Sequence, residues 1–433
     1  MVKRTLVFAL ILAACLLSSR GLFLQQDRTK TIQIGLQAPL SGPSSAMGTM
    51  SLNGTRLAVM DARDEFKNDL GLNLSLTSMD DESRAAKGIS NAVRLCSENP
   101  SVGSVIGHYN TGVAIAASGA YKRCDLALVS PHNTGDELTK LHNPTINRVC
   151  ARENEMAEAL AHIAYRYREM RKIGVLHDKT AYGAGLADSF AKHFTALGGQ
   201  VTNIEAITIG EKDFSGPVNS LLRWNPDGIF FGGLYAEFSL LYKQARAKGF
   251  NGNFFAGEAI DSPKTLEMIG ESIHDVYMTT LTGDIESTPG GTEWSKRFFQ
   301  TFHISPDATA FDAYLAASYS LHVIYQLFHD PTFRARYAAG EEEVRSPLNR
   351  DGYPNRKLIM RAIRNAPLYT SPLGARVQLD QKGDNRYADV YIRSITSQYP
   401  AKILGRYDKE QKVLLPVNKM ASPRAMGSPG DPT

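Results

Sequence analysis

Tryptophan occurs twice and cysteine four times in 433 residues, and the charges nearly balance, 48 Lys and Arg against 44 Asp and Glu. So few cysteines exclude a small disulfide-dense scaffold. A formal net charge of +4, with no Lys/Arg run beyond three residues, argues against nucleic acid or another polyanion as partner. Catalytic signatures are missing as well. There is no HExxH, no GxSxG, no CxxC and no Walker A stretch. YGAGLADS, from Tyr182, imitates the start of a dinucleotide fingerprint but lacks its third glycine and does not open the first βαβ unit. His108 and His177 each follow a strand and stand alone, which suits a hydrogen-bonded structural histidine better than a metal ligand. No enzyme activity, cofactor or metal is therefore expected.

What the chain does have is a core-forming composition, 43% hydrophobic and 21% charged. The N-terminus reads MVKRTLVFALILAACLLSSR. Lys3 and Arg4 precede an apolar run, Thr5–Leu17, that is too short for a comfortable span of about 20 residues. Residues 1–25 are read as an export signal. Leu12-Ala13-Ala14-Cys15 fits a bacterial lipobox, with Cys15 lipidated; a plain cleaved signal and a retained anchor remain open. All three place the body of the protein in the periplasm or on the outer face of the membrane.

Beyond the signal, strand-like segments (Thr31–Leu36, Leu72–Ser78, Val102–Ile106, Leu126–Val129, Lys172–His177, Val201–Ile209, Gly228–Phe231) alternate with helical patterns such as Ala86–Cys96 and Glu153–Met170. That alternation predicts α/β architecture with parallel sheets and right-handed crossovers. One sheet of this length would be unusually wide, so two lobes are expected. Cys96 and Cys124 each end a helix that leads into one of two neighbouring strands. A disulfide between them and two buried free thiols are both open; Cys150 reads as a small core residue. His329–Arg356 is rich in Pro, Gly and charge and reads as a surface insertion. The tail 416–433 lacks periodicity and reads as disordered.

Gly228–Ile260 carries the strongest functional signal. An apolar strand runs into two glycines, a Tyr-x-Glu turn and an amphipathic helix; a second strand ends on Gly257–Glu258. Tyr235 and Glu258 thus stand at adjacent strand ends, where open α/β sheets bind ligands. A phenol and a carboxylate there suit a small cation such as an ammonium. Thr111 and Thr134 follow two other strands at loops that enter helices, as helix caps or as anion-binding hydroxyls.

With TIQIGLQAPLSGPSSAMGTMSLNGTRLA (from Thr31), VIGHYNTGVAIAAS (from Val105), LVSPHNTGDELT (from Leu128), IGVLHDKTAYGAGLADSF (from Ile173) and ITIGEKDFSGPVNSLL (from Ile207), the stretch resembles the branched-chain amino-acid-binding proteins of ABC importers, the type I periplasmic binding proteins. The resemblance covers roughly residues 31–330 and rests on joint order and spacing. It implies two doubly wound Rossmann-like lobes joined by a three-stranded hinge. Lobe 1 would hold 26–150 and 283–384, and lobe 2 would hold 151–282 and 385–415. It implies that Thr111 and Thr134 hold a ligand carboxylate on lobe 1, while Tyr235 and Glu258 hold its ammonium on lobe 2. Glu153 falls where the family often has an acid near the same group, and a solvated helix-start carboxylate is the alternative. Tyr182 matches the tyrosine of the family's D-x-x-Y-G motif. Met47 stands where some members carry tryptophan, and Tyr109 with Asn110 replaces a more apolar pair, so the side-chain pocket departs from the leucine type. The family's frequent first-lobe disulfide looks absent, with Asn110 and Ser83 near those places. The implied partners are a small amino-acid-like ligand and an ABC permease, with the protein a monomer; a sensor domain for amides, urea or short organic acids is the alternative.

Overall fold

The computed structural model describes residues 30–338, 340 and 345–416. The export segment with Cys15, and the tail from 417 onward, lie outside the described residues.

The chain begins with β1 (Thr31–Ala38), α1 (Ser45–Leu70), β2 (Asn73–Asp80), α2 (Ala85–Ser97), β3 (Val102–Gly107), α3 (Thr111–Arg123), β4 (Ala127–Ser130), α4 (Glu137–Lys140) and β5 (Ile146–Arg148). The five strands make one parallel sheet in the order β2-β1-β3-β4-β5. Every residue of β3 (VGSVIG) is buried, as a strand covered on both faces requires. The order places β1 and β3 side by side at the reversal point, so the loops after β1, β3 and β4 open along one edge.

The chain then builds a second sheet. After α5 (Glu153–His162) come β6 (Lys172–His177), α6 (Ala181–Ala196), β7 (Gln200–Ala206), α7 (Ser215–Leu222), β8 (Gly228–Gly232), α8 (Tyr235–Ala247), β9 (Asn253–Ala256), α9 (Pro263–Ile269) and β10 (Val276–Thr280). Aromatic side chains fill its core; the Phe190 and Phe230 rings stack 4.0 Å apart and Phe190 also stacks on Phe194.

From Gly283 the chain returns to the first sheet with α10 (Gly291–Phe302), α11 (Ala308–His329), α12 (Pro331–Ala338) and α13 (Arg356–Asn365). α11 is almost wholly buried between α1 and strands β3 and β4. α1 and α11 meet at Gly54, where a Cβ would stand 2.0 Å from the Ala310 carbonyl oxygen. Tyr314 and Arg297 both bind the Asp61 carboxylate on α1. After the small pair β11 (Tyr369–Thr370) and β12 (Arg376–Val377), the chain returns to the second sheet as β13 (Tyr391–Ile395), β14 (Lys402–Asp408) and β15 (Val413–Pro416). The sheet order is β15-β14-β13-β10-β9-β8-β6-β7, and three chain passages join the two sheets. The fold is that of two α/β lobes.

Several local expectations need correction. β13, β14 and β15 run antiparallel, extending an otherwise parallel sheet. The helix expected over Glu153–Met170 ends at His162 and widens into a π turn at Ile163–Tyr167. The strand expected to reach Ile209 stops at Ala206, because Thr208–Glu211 closes a turn through Gly210 at φ 86. His329–Arg356 is not wholly superficial: α12 buries Phe333 and Tyr337 against the first core. Arg356 donates to the carbonyls of Leu95 and Cys96 at the end of α2, where a cation is favoured. Cys96 and Cys124 form a disulfide, with a Cα–Cα distance of 5.8 Å, and Cys150 is a buried free thiol.

Candidate functional site

The strand ends of the two sheets face each other across a cleft of about 450 Å³. On the first side, Asn110 precedes α3 and Thr111 opens it. Asn110 does not cap the helix; its Oδ1 and the Oγ1 of Thr111 lack partners and the residues line the cleft. The neighbouring 133–135 loop is set by Arg148, fully buried at the end of β5. Its Nη1 takes the carbonyls of Asn133, Thr134 and Gly135 at 3.0, 2.7 and 2.9 Å, Nη2 takes Thr139 Oγ1, and Nε pairs with Asp384 at 2.6 Å. That draws three carbonyls inward. Thr134 is buried with its Oγ1 unpartnered, and Asn133 ties the loop to the Tyr109 carbonyl.

On the second side, the Thr180 hydroxyl caps α6 by accepting from Gly183 N, and its own hydrogen goes to Asp178. This sets Tyr182 on the first turn, where its hydroxyl donates to Glu258 Oε2 at 2.9 Å. Gly257 makes room: a Cβ there would lie 2.3 Å from the Tyr182 oxygen. Burial raises the Glu258 carboxyl to about 7, against the lowering effect of its hydrogen bonds.

The sites named from the sequence fall into two groups. Tyr109, Asn110, Thr111, Tyr182, Tyr235 and Glu258 line the cleft. Tyr235 spans its mouth, its hydroxyl donating to the Pro43 carbonyl of the opposite lobe at 2.8 Å. Thr134, Glu153 and Met47 are buried and are not among the lining side chains. Met47 lies beneath Thr309, whose hydroxyl points at its sulfur. Glu153 is not a solvated helix-start acid: it is 4% exposed, faces Gly185 of α6, and burial pushes its carboxyl up to about 9.

Residues 31–399 match the family described as periplasmic binding protein. The chain belongs to that family. This periplasmic binding protein is 29% identical over 285 residues to Leu/Ile/Val-binding protein homolog 1 of Brucella suis biovar 1 (strain 1330), covering 66% of this chain and 76% of the relative. It is 30% identical over 284 residues to Leu/Ile/Val-binding protein homolog 2 of Brucella abortus (strain 2308), covering 65% and 75%. Among solved structures, the leucine-binding LivK of Thermotoga maritima MSB8 superposes with a TM-score of 0.74 at 23% identity, over 88% of this chain and 99% of that one. A solute-binding protein from R. palustris in complex with benzoate gives 0.71 at 18%, over 87% and 96%. Both likenesses show the fold. Membership sets the chain among binding proteins rather than enzymes. No described helix is long and apolar enough to cross a membrane.

Residues of this binding protein that the sequence reading missed also line the site or, like Arg148, hold one of its loops from beneath. Arg148 is an arginine at the end of a buried strand, a signal visible in INR. Asp312 is an acid in the apolar run ATAFDAYLAAS, equally visible. Asp261 and Thr280 gave no such signal; they line the cleft through a short turn and a strand end. His132 lines it too, with burial lowering the imidazole to about 3 so that it stays neutral. Among the described residues, no group of three metal-ligating side chains exists.

Proposed function

We propose that the protein captures a zwitterionic α-amino acid between its lobes and delivers it to an ABC permease. One observation carries this reading. An unpartnered hydroxyl at the start of α3 on the first lobe, Thr111, lines the same cleft as the Glu258–Tyr182 pair on the second. Neutral donors at the start of a helix suit a carboxylate, and a buried carboxylate suits an ammonium. A ligand that touches both sets only when the lobes approach stabilises the closed form. The names of the relatives, Leu/Ile/Val-binding proteins, support the same class. Delivery to a permease is the role of that class, and an exported location, with Cys15 as lipid anchor, accords with it.

The test is a thermal-shift and calorimetric panel of amino acids, amides, urea and short carboxylic acids. An α-amino acid at 100 times its dissociation constant should add about 2.7 kcal/mol of stability at a stoichiometry of one. If acids without an amine stabilise the protein and amino acids do not, the ammonium site fails. Loss of uptake of the same ligand in a deletion strain would assign transport rather than sensing.

A further inference from the structure

The cleft has an acidic end that an aliphatic amino acid would leave unused. Asp261 follows the turn Glu258–Ile260, Thr280 ends β10, and Asp312 stands on α11; all three line the cleft. They are 4%, 1% and 7% exposed. Burial raises the Asp261 carboxyl against the smaller lowering effect of the Thr280 hydroxyl that faces it, and beyond that contact neither Asp261 oxygen has a close hydrogen-bond partner. Asp312 accepts a hydrogen bond from Thr282.

Counter-charge is scarce there. Asp307 caps α11 close by, and each of Asp307, Glu258 and Asp261 raises the carboxyl of Asp312 further, after burial itself. The cation beside this group is Arg393, whose Nε lies 3.6 Å from Asp261 Oδ2. Its Nη atoms are spent on the carbonyls of Ala401, Thr282 and Gly283. This one guanidinium faces Asp261, in a neighbourhood that also holds Glu258, Asp307 and Asp312. The side chains lining the cleft include Glu82, Glu237, Glu258, Asp261 and Asp312, and among the described residues that line it there is no lysine or arginine. An apolar ligand side chain laid on Asp261 and Thr280 would strip their water and return no partner. A cationic end group would return both charge and hydrogen bonds.

We propose that the cleft takes an α-amino acid whose side chain ends in an ammonium or guanidinium group, received by Asp261, Asp312 and Thr280. The proposal rests on the amino-acid reading above and adds the side-chain class to it.

Isothermal titration of the exported protein tests it with L-arginine, L-lysine, L-citrulline, L-leucine and agmatine. Citrulline keeps arginine's shape without its charge; agmatine keeps the guanidinium without the carboxylate. Arginine or lysine should bind at least about tenfold more tightly than citrulline or leucine, the usual scale of a buried charged pair. Asp312→Asn should narrow the arginine-to-citrulline ratio by about tenfold, whereas Glu258→Gln should weaken both and keep the ratio. Asp261→Asn should narrow it as well, and circular dichroism checks that folding survives the loss of its Arg393 partner. Leucine or citrulline binding as tightly as the cations overturns the cationic subsite and leaves the amino-acid reading standing. Agmatine binding as tightly as arginine overturns the carboxylate half and keeps the subsite. No binding by any of the five overturns both.

Discussion

Glu153 is buried behind Tyr182, and its carboxyl is pushed up to about 9 by burial first and then by the charges of Asp136 and Glu258. Its ordinary value in the unfolded chain is 4.5. The folded protein therefore holds a proton that the unfolded chain releases, and the associated stability is full below pH 4.5 and lost as pH rises towards 9. Glutamine carries no such loss. Glu153→Gln should gain on the native protein from pH 5 to pH 9, with a ceiling of about 1.4 kcal/mol per pH unit. Urea unfolding at pH 5, 7 and 9 measures it; a gap that does not change with pH would mean that Glu153 is ionised and paired. At this scale the sequence was partly legible. Glu258 and Tyr182 could be named because strand ends and loop-helix junctions are local features. Arg148 could not be given its role, because that role depends on three carbonyls of another loop and on Asp384, 236 residues away.

Among elements, β–α alternation was readable because buried parallel strands are short continuous apolar runs, as in GIFFG and VGSVIG. The antiparallel β13–β15 were not, since direction is set by which edge the chain reaches and not by the residues of the strand. Helix α1 is legible as a helix but not as a contact surface. Its Gly54 looks like a helix-weakening residue until α11 is seen against it. Gly54→Ala improves helix propensity yet forces a Cβ into the Ala310 carbonyl. We expect a net loss of about 1–3 kcal/mol in urea unfolding, the usual cost of overpacking. A stabilised variant would show that the two helices part freely. Because α11 also carries Thr309 and Asp312, their displacement should weaken ligand binding in the same protein.

For the whole molecule, the cross-cleft bond from Tyr235 to Pro43 is a direct tie between the lobes, and its partner is backbone. Tyr235→Phe keeps the ring and removes that bond. Ligand-free protein should then scatter X-rays as a more open particle, and affinity should fall by less than about tenfold, the worth of one hydrogen bond of about 0.5–1.5 kcal/mol. An unchanged scattering curve would mean that the tie does not bias closure. The two-lobe architecture was legible from length and alternation, but the return of the chain to its first sheet was not derivable from periodicity. That return bears on how the chain is made. Ile34, Leu36, Ile106 and Val129 belong to the core that α11 completes, and α11 follows every parallel strand of the second sheet. During synthesis from the N-terminus, the first sheet has α1 over β1 and β2 but waits with the rest of that apolar face bare until Ala308–His329 arrives. A chain stopped before Ala308 would not be a smaller binding protein; it would be a sheet without its full cover, open to aggregation.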